Sequence, residues 1–110
     1  MREIELDLFT DMIKIYRETD IQCNYKAAGF FQMIQTDGAI TTAKEIINNA
    51  EVTEGFMKLA ECNRLDLSVE ALITQDKYKE LFTAKERKIC LNRLKKYGYK
   101  EAKDNLIEAK

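Results

Sequence analysis

Leu65-Asp66-Leu67-Ser68-Val69-Glu70-Ala71-Leu72-Ile73 admits two readings. Apolar and polar side chains alternate through its first half, as in a half-buried strand. The same run also suits a short helix from about Ser68. The rest of the chain decides between them. No second segment offers a convincing partner strand, and a lone strand leaves its backbone N–H and C=O groups unpaired. The helix is therefore expected, and with it an all-α fold.

Toward the C-terminus, Asp76 is placed to cap a short turn carrying Tyr78 and Leu81-Phe82. Thr83-Ala84-Lys85-Glu86 is a capping box and the clearest helix start in the chain. That helix should reach Tyr97 and stop at Gly98. Cys90, Leu91, Leu94 and Tyr97 form one face, and Lys85, Lys88, Asn92, Lys95 and Lys96 the opposite one. Arg87 falls among the apolar positions and has to snorkel or find a carboxylate. Residues 100–110 read as a polar C-terminal helix, docked through Leu106 and Ile107, or as a frayed tail.

Toward the N-terminus, Thr53 is a cap for a short helix carrying Phe56, Met57, Leu59 and Ala60, which Asn63-Arg64 breaks. Thr42-Ala43-Lys44-Glu45 matches a second capping box, predicting a helix to about Asn49. Asp37-Gly38 supplies a helix stop. Asn24 reads as the N-cap of a helix over 25–36. A first helix over 3–18 carries a broad apolar face of Ile4, Leu8, Phe9, Met12, Ile13, Ile15 and Tyr16, with Thr19-Asp20 near its end. The expected architecture is one domain over 1–99, with five to seven short helices wrapped as an orthogonal bundle around one core.

Composition narrows the chemistry. The chain has 110 residues, 45% hydrophobic and 34% charged, a balance that builds a single core under a solvated surface. It has no histidine and no proline. The commonest general base and the commonest metal ligand are therefore missing. Cys23, Cys62 and Cys90 are odd in number and show no CxxC spacing, so neither a disulfide framework nor a zinc site is expected. They read as small buried hydrophobes in a reducing cytosol. Acidic residues interrupt the N-terminus early, and no apolar run approaches the roughly 18 residues that span a bilayer. A cytoplasmic protein without membrane contact is expected. Residues 1–82 carry 9 basic and 15 acidic side chains, a net −6, whereas residues 83–110 carry 9 basic and 4 acidic, a net +5.

Several patterns bear on function. Asp66 and Glu70, four apart, would share a helix face and suit a divalent cation or acid–base work. No third ligand is visible. The competing structural reading has Asp66 capping the helix and Glu70 paired with Arg64 or Arg87, a polar cluster of Arg64, Asp66, Glu70 and Arg87. Lys85, Lys88, Lys95 and Lys96, with Arg93, Tyr97 and Tyr99 nearby, form a stripe able to track phosphates or meet an acidic partner. Ala43 through Leu59 mimics a helix-turn-helix, but its second helix presents Glu54, Lys58 and Glu61, which suit packing better than base reading. Ser68 is the only serine and has no histidine to activate it. No catalytic residue, cofactor or metal is assigned.

Four stretches carry a resemblance. They are Gly29-Phe30-Phe31-Gln32-Met33-Ile34, Gly38-Ala39-Ile40-Thr41-Thr42-Ala43-Lys44, Thr53-Glu54-Gly55-Phe56-Met57-Lys58-Leu59 and Arg64-Leu65-Asp66-Leu67-Ser68-Val69-Glu70-Ala71-Leu72. In this order, with Leu81-Phe82-Thr83, Leu94 and Gly98-Tyr99 following, the chain resembles a widespread family of small uncharacterised bacterial helical proteins and domains. The resemblance spans about residues 25–99. It implies a compact helical domain and carries no established activity. The expected function is a non-enzymatic protein-interaction or accessory module that docks on another protein or self-associates. Phe9, Tyr16, Phe30 and Phe31 are candidates for an exposed patch. Nucleic-acid binding through the basic helix is the alternative.

Overall fold

The computed structural model describes residues 2–99, so the predicted segment over 100–110 lies outside the described residues. The described residues are all-α, with six helices and no strand: α1 Glu3–Cys23, α2 Ala28–Asp37, α3 Ala39–Asn48, α4 Glu54–Glu61, α5 Val69–Ile73 and α6 Ala84–Lys96. Single 3-10 turns cover Leu65–Leu67 and Asp76–Tyr78. The helical reading of the decisive stretch holds. Ser68 is extended and caps α5, accepting the Ala71 N–H at 3.0 Å while donating to the Leu65 carbonyl at 2.7 Å.

Helix ends follow local chemistry. The capping box at Thr83 is complete, with its hydroxyl on the Glu86 N–H and the Glu86 carboxylate on the Thr83 N–H, both at 3.0 Å. Thr53 caps α4 through the Phe56 N–H. Asn63 (φ 61°) and Gly98 (φ 86°) close α4 and α6 in the left-handed conformation. Each is followed by an N–H reaching back five residues, Arg64 to Leu59 and Tyr99 to Leu94, which satisfies carbonyls the helix leaves open.

Three expected boundaries move. First, α1 runs past Thr19-Asp20 to Cys23. Thr19 is buried and its hydroxyl bonds the Ile15 carbonyl one turn back at 2.7 Å, so it does not break the helix. Second, Asn24 ends α1 (φ 52°) instead of capping α2, which begins only at Ala28. Third, α3 starts at Ala39, directly after Gly38, and Thr42 is buried inside its first turn instead of capping it. Gly38 takes φ 89° and ψ 163°, a conformation that a side chain strongly disfavours, and this lets α2 turn straight into α3. A Cβ at Gly38 meets nothing within 4 Å, so Gly38→Ala isolates the backbone cost. Gly38→Ala is expected to lose about 1–3 kcal/mol. Gly29→Ala, also with open space but helical, is expected to lose nothing or to gain up to about 1 kcal/mol. Urea unfolding of the two variants checks the contrast.

The core has two parts. Leu8 and Met12 of α1, Ile34 of α2, Ala43 and Ile47 of α3, and Ile73 of α5 pack with Tyr78, Phe82 and Cys90. Phe56, Leu59, Leu65, Ala71 and Leu94 form the smaller part, against which Tyr97 and Tyr99 lie. Helix α6 supplies Cys90 to the first and Leu94 to the second, so it ties the two together. The Tyr78 hydroxyl donates to Asp11, and Lys77 lies 3.7 Å from Asp7 and 3.9 Å from Asp11, fastening the second 3-10 turn to α1.

The cysteine expectation is overturned for two of the three residues. Cys23, the last residue of α1, and Cys62, just after α4, are joined by a disulfide with Cα atoms 5.9 Å apart. The longer α1 carries Cys23 to the end of α4. Both are half-buried, whereas Cys90 is free and fully buried on the apolar face of α6, as expected.

Candidate functional site

The polar residues singled out from sequence separate into three places. Asp66 lies in the first 3-10 turn and Glu70 in α5, with extended Ser68 between them, so they do not share a helix face. Asp66 caps nothing. It takes a two-pronged contact from Arg64 at 2.9 and 3.0 Å, and Arg64 also reaches Gln22 of α1 at 3.1 Å. The Arg64 hydrogen bonds hold the Asp66 carboxyl below its usual range. Arg87 is buried, and its main partners are not a carboxylate but the carbonyls of Ile73, Thr74 and Gln75 at 3.2, 3.0 and 3.3 Å. Its guanidinium thus serves the carbonyls that α5 leaves open at its C-terminus. Exposed Asp76 stands 3.7 Å away.

Glu70 pairs with neither Arg64 nor Arg87 but with Arg93, at 3.3 Å. Arg93 donates as well to the Ile46 carbonyl at 3.1 Å and to the Asn49 carbonyl, fixing α6 to the end of α3. The sequence reading placed Arg93 only beside the lysine stripe. A second unforeseen cluster centres on Glu86, which takes Lys44 at 2.8 Å and Asn48 at 3.1 Å, both from α3. Burial alone would raise the Glu86 carboxyl, but the bonds from Lys44, the Thr83 N–H and Asn48 outweigh it and hold it low.

Burial works the other way at Glu70. It pushes the carboxyl above its ordinary 4.5 against the attraction of Arg93. A group raised in the fold stabilises it when protonated. That contribution is complete below the unfolded value and disappears as pH climbs through the raised one. The stability of the wild type relative to Glu70→Gln is therefore expected to fall as pH rises above 4.5. Urea midpoints from about pH 4 to about pH 9 read this out, and an offset independent of pH would contradict it.

Glu70 also lines the best-formed pocket among the described residues, a cavity of about 320 Å³ at the seam of the two core parts. Helix α1 supplies Ile15 and Tyr16, and α2 supplies Gly29, Phe30 and Met33. Gly55, Phe56 and Leu59 come from α4, and Val69 and Glu70 from α5. Tyr25, in the link between α1 and α2, also lines the pocket; burial and the nearby Glu54 carboxylate push its hydroxyl up, and its ring lies 3.8 Å from where a Cβ on Gly55 would stand. Gly29 and Gly55 add no side chain to the lining. Phe9, Tyr16, Phe30 and Phe31 are each half-buried, with Tyr16 and Phe31 stacked at 4.6 Å.

Lys85, Lys88, Lys95 and Lys96 are all exposed along α6. Lys85 and Lys96, with Asn92, edge a shallow hollow against Asn48 of α3 and Asn49 just after it. The helix-turn-helix mimic packs inward through Ile46, Ile47, Phe56 and Leu59. Burial and the charge of Glu70 push the Cys90 thiol up, the opposite of an activated nucleophile. Among the described residues, no three His, Cys, Asp or Glu side chains gather as a metal site would need, and no helix is long and apolar enough to cross a membrane. No family model, curated protein or solved structure matches this chain.

Proposed function

We propose that this chain is a small non-enzymatic module that docks on another protein by receiving its apolar side chains in the pocket between α1, α2, α4 and α5. The observation that carries this reading is the pocket itself: open, predominantly apolar, and about 320 Å³. That volume lies at the small end of the range of about 300–1,000 Å³ for ligand sites, so it suits one or two side chains. Two further facts support it. The hydroxyl of Ser68 is consumed as a helix cap, and Cys90 is buried, so neither offers a nucleophile. Three of the four stretches that carry the resemblance to small bacterial domains contribute to the wall. The test is selection from a displayed peptide library against the wild type, repeated with Gly29→Trp, which fills the mouth, and Gly29→Ala, which does not. Selected peptides should carry aromatic or aliphatic anchors and bind the tryptophan variant at least about tenfold more weakly, a loss of about 1.4 kcal/mol. Equal binding to all three proteins would remove the pocket from consideration.

The exposed lysines on α6 favour a second reading, nucleic-acid binding. It predicts a gel shift that weakens steeply with salt and disappears when Lys88 and Lys95 are reversed to glutamate. A shift unchanged by that reversal would end it.

A further inference from the structure

The pocket's charge and ring content narrow its occupant. Two carboxylates line it, Glu54 at the mouth and Glu70 in the wall, and no lysine or arginine does. Glu70 is 1% exposed, and Arg93 reaches it from α6 without itself lining the cavity. Lys26 and Lys58, the nearest lysines in sequence, lie within 4.0 Å of Asp20 and Glu61 and are absent from the wall. Four aromatic rings complete the lining, those of Tyr16, Tyr25, Phe30 and Phe56. Rings attract cations through their electron-rich faces, and the exposed carboxylate of Glu54 adds direct attraction.

We infer that the pocket receives a partner-protein segment in which an apolar anchor stands beside a lysine or arginine, the cation meeting Glu54 and the aromatic rings. This rests on the docking function proposed above and names the partner's chemistry. The apolar group enters the cavity, and the positive charge stays at its rim beside the exposed Glu54 carboxylate. Glu70, paired with Arg93 at 3.3 Å, adds no net charge to the site.

The experiment uses the full chain, labelled with nitrogen-15, and three probes. These are N-acetyl-leucyl-phenylalanyl-lysine amide, the same peptide with norleucine for lysine, and the same with glutamate. Amide shifts of Gly29, Gly55, Phe56 and Leu59 report occupancy. The lysine peptide should bind about 3- to 10-fold more tightly than the norleucine peptide at low salt, as expected of one exposed charge pair plus a ring contact. The glutamate peptide should bind more weakly than either. The lysine advantage should shrink as salt rises and vanish in Glu54→Gln, while norleucine binding is unchanged in that variant. Equal binding of the lysine and norleucine peptides overturns the inference and leaves the pocket as an apolar docking site. Failure of all three to shift these amides overturns the inference and counts against the docking reading as well. Shifts at the same amides on dilution alone, with no effect of peptide, put a second copy of the chain there and also overturn it.

Discussion

Breaking the Cys23–Cys62 bond should be among the costliest changes available to this protein. The bond closes a loop over a sequence separation of 39 residues. In the chain-entropy model a loop of that length restricts the unfolded ensemble by about 4 kcal/mol, and measured effects usually fall at about 2–4 kcal/mol. A domain of this size has a total stability of roughly 5–15 kcal/mol, so the loss is a large fraction of it. Urea unfolding with and without a reductant, and of Cys62→Ser, should show the drop, and the reductant should add nothing further to Cys62→Ser. A thiol count under denaturing, non-reducing conditions should find only one of the three cysteines reactive, Cys90. Three reactive thiols together with coincident unfolding curves would contradict the pairing.

Arg87→Ala is expected to cost about as much, roughly 2–4 kcal/mol, because carbonyls at the end of α5 lose a charged donor and each buried group left unsatisfied costs about 1–3 kcal/mol. The carbonyls of Ile73 and Thr74 would lose the guanidinium as donor, the first of them in the protein interior, whereas the Gln75 carbonyl keeps the Tyr78 N–H, and the guanidinium's volume would be left empty. Arg87→Lys should recover only part of the loss, since an ammonium cannot reproduce the planar spread of donors. Asp76→Asn should change stability by less than about 1 kcal/mol, because Asp76 is exposed and its oxygen stands 3.7 Å from the guanidinium. Chemical denaturation of the three variants reads this order. An Arg87→Ala protein within about 1 kcal/mol of wild type would mean that water replaces the lost bonds.

The all-α fold was legible because its signals are local. Thr83 with Glu86, Thr53 and Gly98 each act within one helical turn, and each does in the fold what its spacing implies. The failures lie where one residue type serves two local roles. Asn24 is equally good as an N-cap and in the left-handed conformation that ends a helix, and packing of the longer α1 selects the second. Thr42 has the spacing of a cap, but Gly38 turns the chain earlier and leaves the threonine inside the helix. Arg87 was recognised as anomalous on an apolar face, yet its partners are backbone carbonyls, which have no side-chain signature in a sequence.

The candidate site was much less legible than the fold. Phe30, Gly55, Phe56 and Glu70 stand in separate stretches, and nothing in their spacing says that they converge. By itself the sequence determined the helices, most of their ends, the buried thiol at Cys90 and the exposed lysine face of α6, all set by hydrogen bonds and periodicity within a few residues. Only the tertiary structure decided that Cys23 meets Cys62, that Glu70 takes Arg93, that Glu86 takes Lys44 and Asn48, and that an aromatic, acid-lined pocket opens between four helices. The reason is physical. Those contacts depend on how whole helices cross, and a crossing is fixed by the shapes of two packed faces together, not by either segment alone.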